Sequence, residues 1–162
     1  IKRMRESMAR LTPVYSANRA VREYTETYYL PAAAEYLKRA ENKGALAREL
    51  VRWENRLEKN WPKIHFGEVK IETREGNHFF DVQVYLAELT PSEVRVELFA
   101  DGIAPELHLC VPVLNVIDNL QTHLFRCVIP AKRAAEQYTP RVIPQQSHAN
   151  IPLEAAHILW QK

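Results

Sequence analysis

Glycine is scarce in this 162-residue chain, which has only 4, and cysteine is scarcer still, with 2. Four glycines leave little room for a phosphate-cradling loop, and neither a G-x-G-x-x-G nor a P-loop pattern occurs. Two cysteines do not make a disulfide framework. They set a reducing, cytoplasmic compartment as the expectation, with no disulfide between them. No stretch approaches the ~20 apolar residues of a membrane helix, and no signal peptide is visible. Net charge is close to absent: 22 Lys and Arg against 20 Asp and Glu leave +2, which argues for neither a nucleic-acid nor a membrane partner. What remains is 46% hydrophobic and 26% charged, an average globular composition that excludes disorder and fibrous repeats. The length suffices to bury a core without staples. The chain opens Ile1-Lys2-Arg3 rather than with Met, and the expectation is a piece of something longer.

Charge and composition both shift near residue 60. Residues 1–60 are rich in Ala, Arg, Glu and Leu and carry net +5; residues 61–162 are rich in Val, Ile, Pro and aromatics and carry net −3. The first part has helical periodicity. Ser16 is placed to accept an orphan backbone N–H at a helix start, and Ala17, Val21, Tyr24 and Tyr28 then draw one apolar stripe. Pro31 is expected to end or kink that helix, or to open a new one over 32–42, with Gly44 as a second break. Leu46, Leu50, Trp53 and Leu57 form the stripe of a further helix ending near Trp61-Pro62.

The second part switches to a period of two. Phe80, Val82, Val84 and Leu86 alternate with polar or aromatic residues; so do Val94, Val96 and Leu98, and Leu107, Leu109 and Val111. With turns at Glu75-Gly76-Asn77, Thr90-Pro91-Ser92 and Asp101-Gly102, and further strands at 64–72, 123–129, 141–143 and 157–160, this predicts seven short strands. The predicted fold is α+β: a helical segment over 1–60, then an antiparallel, immunoglobulin-like β-sandwich over 61–162. Phe80, Val82, Val84, Val94, Val96, Leu98, Leu107 and Leu109 are expected inside it.

Side chains with chemical potential form no recognisable site. His108-x-Cys110 and His123-x3-Cys127 are zinc-type residues at a spacing that matches no zinc knuckle, and inert thiols explain them better. Ser147-His148 lies in a Pro-rich loop without a nucleophile elbow. Glu23 and Glu26, and Glu54 and Glu58, share helical faces with Arg19, Arg22, Arg52 and Arg56, which favours surface ion pairs over acid/base chemistry. Outward aromatics such as Tyr85, Phe99 and Trp160 suit either a sugar-stacking platform or packing against a neighbouring element. No catalytic, cofactor-binding or metal-binding residue is assigned.

Two stretches carry a resemblance. Ser7-Met8-Ala9-Arg10-Leu11-Thr12-Pro13, followed by Asn18-Arg19-Ala20-Val21-Arg22-Glu23-Tyr24 and Tyr28-Tyr29-Leu30-Pro31-Ala32, resembles the region after the catalytic domains of bacterial and archaeal α-glucan (maltodextrin) phosphorylases. Leu89-Thr90-Pro91 with Val94-Arg95-Val96-Glu97-Leu98, and Arg141-Val142-Ile143-Pro144 with Leu159-Trp160, are similar to the strands and terminus that close that family's chains. The resemblance implies a parent that phosphorolyses α-1,4-glucan reversibly with a lysine-bound pyridoxal phosphate. That lysine and the substrate loops would lie upstream of Ile1. It implies no cofactor in this piece, which is expected to be inactive alone. The implied partners are the parent's catalytic domains, against which a helix bearing Tyr24, Tyr28 and Tyr29 would dock, and the parent's α-1,4-glucan. The rival expectations are that the sandwich binds glucan over Tyr85, Phe99 or Trp160, or that the chain mediates self-association.

Overall fold

A computed structural model describes residues 1–113 and 121–162. The chain divides into two compact units, Ile1–Glu49 and Leu50–Lys162. The division falls inside the last helix, ahead of the compositional shift near residue 60.

The first unit is helical. Helix α1 (Lys2–Val14) is followed by α2 (Ala17–Tyr24), which Ser16 caps as expected by accepting the Arg19 N–H at 3.3 Å. Pro31 does not end the helix. Its ring would press on the carbonyl four residues earlier in a regular α-helix. The chain instead widens into a π-helical turn over Thr25–Tyr29, closed by the Leu30 N–H on the Thr25 carbonyl, and runs on into α3 (Leu30–Asn60). The break comes later, where Asn42, Lys43 and Gly44 all take left-handed backbone angles. No side chain among residues 1–49 is buried.

The second unit begins with the last turns of α3, whose Trp53, Leu57 and Asn60 are buried. A short 3-10 turn at Trp61–Lys63 leads into eight strands among the described residues. These are β1 (His65–Arg74), β2 (Asn77–Tyr85), β3 (Val94–Ala100), β4 (Glu106–Leu109), β5 (Val111–Val113), β6 (Thr122–Pro130), β7 (Thr139–Pro144) and β8 (Leu159–Trp160). They form two antiparallel four-stranded sheets, ordered β1-β2-β6-β5 and β4-β3-β7-β8. Phe80, Val82 and Val84 from β2 and Phe125, Cys127 and Ile129 from β6 join Val94, Val96 and Leu98 from β3 and Val142 from β7 in one buried cluster. Trp53 and Leu57 belong to the same cluster, so the end of α3 shares the core.

Two expectations are overturned here. Leu107 and Leu109 are not inside; they are 50% and 57% exposed. Alternation is present in β4 but with the opposite face inward: His108 stands opposite the buried Leu98, and Leu109 opposite the outward Glu97. A period of two fixes which residues share a face and not which face is inside. Nor are the cysteines separate thiols. Cys110 and Cys127 form a disulfide, and Cys110, of the same parity as His108, is buried with it.

Val96 has no exposure at the centre of the shared core. Val96→Asp should therefore cost on the order of 4 kcal/mol or more, because the carboxylate would be buried without a partner. Thermal unfolding checks this: the expected result is a large drop in the midpoint or loss of the transition, and an unchanged melt would show that the core is placed wrongly.

Candidate functional site

The outer face of the second sheet carries the densest arrangement of functional side chains. One row crosses it strand by strand, Leu109 on β4, Glu97 on β3, Arg141 on β7 and Trp160 on β8. Glu97 is only 1% exposed although it points away from the core. Arg141 donates through Nε to Glu97 Oε2 at 2.8 Å, and Arg95 lies 2.5 Å from Oε1. The Arg141 guanidinium also sits over the Phe99 ring, 5.0 Å from its centroid, and 5.3 Å from that of Trp160. Phe99 and Trp160 themselves meet edge to face, with centroids 5.7 Å apart and ring planes 70° apart. Flanking them are the exposed Leu107 and Leu109.

A sugar ring stacks on a flat aromatic surface. Two rings at 70° with a guanidinium over both offer no flat platform, and the paired arginines already satisfy the carboxylate. The arrangement suits apolar contact around a fixed ion pair.

Of the aromatics named from sequence, Phe99 and Trp160 are thus brought together, and Tyr85 is not. Tyr85 lies on β2 in the other sheet, stacked on His65 at 4.7 Å, and its hydroxyl donates to Gln121 Oε1 at 2.6 Å. On that sheet's outer face Arg126 grips Asp81 with two hydrogen bonds of 2.6 Å, and the guanidinium holds the Asp81 carboxyl below its usual range.

A second polar group stands beside β4. Glu106 Oε2 accepts from the Tyr138 hydroxyl at 2.9 Å and lies 3.3 Å from His108 Nε2, while Arg133 Nε is 2.8 Å from Oε1. The Tyr138 and His108 contacts hold the Glu106 carboxyl below its usual value; burial, then the Glu106 hydrogen bond, raises the Tyr138 phenol. Arg133 also donates to the carbonyls of Asp101 and Ala104, and its own carbonyl lies 2.8 Å from Nε2 of the buried His78. These bonds tie the 101–105 turn to the segment between β6 and β7. They explain why β4 turns Glu106 and His108 inward.

The tyrosines of the helical unit are all exposed. Tyr24 and Tyr28 pack with centroids 6.4 Å apart, and Tyr29 follows in the π-helical turn. Val21, Leu30, Tyr36 and Leu37 are exposed as well. An open groove beside them is lined by Asn18, Val21, Arg22, Thr25 and Glu26.

The remaining sequence candidates take structural roles. The disulfide removes both cysteines as thiolate ligands, and among the described residues no cluster of three or more ligating side chains forms. Burial lowers the pKa of His123. Ser147 turns both its N–H and its hydroxyl to Gln146 Oε1. Glu23 pairs with Arg19 as expected, and Glu58 lies 3.2 Å from His157 Nε2. The sequence reading missed the Arg95–Glu97–Arg141 cluster. Its signal is an acidic residue at mid-strand between Val96 and Leu98, with Arg95 two positions before it on the same strand.

No family model matches the chain. Curated proteins do. The chain is 33% identical over 157 positions, 90% of its length, to glycogen phosphorylase of Mycobacterium tuberculosis, and equally to that of Mycobacterium bovis. It is 28% identical over 107 positions, 64% of its length, to maltodextrin phosphorylase of Thermococcus litoralis. The chain is thus homologous to a region of the glycogen and maltodextrin phosphorylases. It spans 18% and 12% of the lengths of these relatives, which agrees with the C-terminal region its motifs resemble.

Removing Arg141 strips Glu97 of its better-aligned partner and both rings of their cation. Arg141→Ala should destabilise the chain by about 2–3 kcal/mol, measured by denaturant unfolding. Lys70→Ala, at an exposed ion pair with Glu68, should change stability by less than about 0.5 kcal/mol. Equal effects from the two substitutions would contradict the assignment.

Proposed function

We propose that this chain is the C-terminal, non-catalytic portion of an α-glucan phosphorylase, and that its role is to dock against the catalytic body of the parent enzyme. The parent would be a glycosyltransferase that releases glucose-1-phosphate from α-1,4-glucan. The observation that carries the docking reading is the helical unit: residues 1–49 contain no buried side chain, yet expose Met4, Met8, Leu11, Val21, Tyr24, Tyr28, Tyr29, Leu30 and Leu37. Short helices in water depend on tertiary burial of an apolar face. These faces find none within their own unit. The homology to much longer phosphorylases supports a covering body, and Tyr24, Tyr28 and Tyr29 are the side chains we assign to the contact.

On this reading the chemistry of the parent is carried elsewhere in its chain. A Schiff-base lysine is activated by desolvation in an enclosed site. All eight lysines of this chain are exposed, and Arg22 is the one cation lining the groove at Asn18–Glu26. The residues present do not fit pyridoxal phosphate.

We read the sheet-bearing unit as an immunoglobulin-like sandwich. The strand order supports this: β1-β2-β6-β5 corresponds to the A-B-E-D sheet of that fold. β3-β7-β8 corresponds to its C-F-G sheet, with β4 added at the edge.

The docking reading predicts how the 162-residue chain behaves by itself. Amides of residues 17–30 should exchange rapidly, or sedimentation should show concentration-dependent association that Tyr24→Ser, Tyr28→Ser and Tyr29→Ser together abolish. A strict monomer with slow exchange throughout residues 17–30 would overturn the reading, because the segment would then be satisfied within its own chain.

A further inference from the structure

The cystine takes no part in docking as assigned above, and its position in the fold is particular. Leu109 ends β4 in one sheet and Val111 begins β5 in the other, so Cys110 alone makes the crossing. Its N–H is held by the Val96 carbonyl at 2.9 Å. Val111 stands opposite Arg126, and one step back along that register Cys110 stands opposite Cys127, with their Cα atoms 4.5 Å apart. That is the spacing of an antiparallel pair without hydrogen bonds between its members, where side chains approach most closely. Reduced, the pair would be two buried thiols, which pack as small apolar groups.

The two strands meeting at this corner are the short edges of their sheets. β4 is bonded to β3 and β5 to β6, and Pro112 in β5 has no N–H to give. Phe80, Val82, Val96, Leu98, Phe125 and Val142, by contrast, are held between the sheets by their own contacts.

We propose that Cys110–Cys127 is a redox-responsive clasp on the β4–β5 corner. Oxidised, it fixes the corner; reduced, it leaves both sheets standing and loosens the corner. The conversion is thiol–disulfide exchange with a dithiol reductant. One reductant thiolate attacks a protein sulfur, the S–S bond breaks, and a mixed disulfide forms with release of one protein thiolate. The second reductant thiolate then displaces the other protein sulfur. Two electrons and two protons have passed to the cysteines, and the reductant leaves as a disulfide. Both cysteines are buried, 3% and 2% exposed, so reagents reach them when the corner opens. Where thiols are kept reduced, cystines that do form are mostly transient or sensing. Leu107 and Leu109 ride on β4, so the redox state also governs how firmly the apolar edge of the second sheet is presented.

The test uses the whole 162-residue chain, equilibrated with oxidised glutathione or with dithiothreitol. Thiols are titrated after denaturation, and hydrogen exchange is followed by mass spectrometry. The expected result is no free thiol in the oxidised chain and two in the reduced one. Exchange over 106–113 should be at least ten-fold faster on reduction, while amides over 80–84 change less than two-fold. A Cys110→Ala, Cys127→Ala variant should match the reduced chain under both conditions. Two thiols in both samples would overturn the proposal, as would equal exchange over 106–113. Acceleration over 80–84 as large as at the corner would also overturn it, since the bond would then be a staple of the whole fold.

Discussion

The apolar layer between the two sheets is the interaction on which the rest of the structure depends. Phe80 and Phe125, the largest of the wholly buried side chains, come from adjacent strands of one sheet, and Val96, Leu98 and Val142 face them from the other. Sheets bury one face each, and neither can keep its apolar row out of water without the other. The end of α3 joins this layer through Trp53 and Leu57, which is why the compact unit begins inside a helix rather than at the first strand. Polar ties then close the edges of the layer: Glu106 with Tyr138 and Arg133, and Arg56 with Glu93.

The helical unit has no counterpart to this layer. Its helices are locally well formed, with a Ser16 cap, an Arg19–Glu23 pair and a π-helical turn that accommodates Pro31. Such local terms contribute tenths of a kcal/mol to about one kcal/mol each and do not hold a helix in water by themselves. Tyrosines and leucines along these helices are left exposed, and the docking proposal rests on that exposure together with the homology to much longer phosphorylases.

Much of this was legible in the sequence, because a period of two and a period of 3.6 leave different marks. The run Phe80-Asp81-Val82-Gln83-Val84 could be placed on a strand with its inner face assigned, and Ser16 could be placed at a cap. What was not legible depended on partners distant in sequence. Leu107 and Leu109 alternate as well as Val94 and Val96 do, yet the inward face of β4 is set by Tyr138, Arg133 and Cys127, which lie elsewhere in the chain. Composition argues against a disulfide, and register makes one: Cys110 and Cys127, separated by 17 positions in sequence, are brought face to face by strand pairing. The local rule for Pro31 predicts a break or kink, and the wider turn at Thr25–Tyr29 satisfies that rule while the helix runs on.

The central claim is that, among the described residues, all of the core lies within residues 50–162 and none within residues 1–49. Limited trypsin digestion of the native 162-residue chain, followed by intact-mass measurement, tests it most directly. The account predicts that the first cuts fall among the lysines and arginines of residues 1–49, leaving a resistant species that begins near Glu49 to Trp53 and retains all eight strands. Early cuts at Arg95, Arg126 or Arg141, with residues 1–49 still attached and intact, would contradict it.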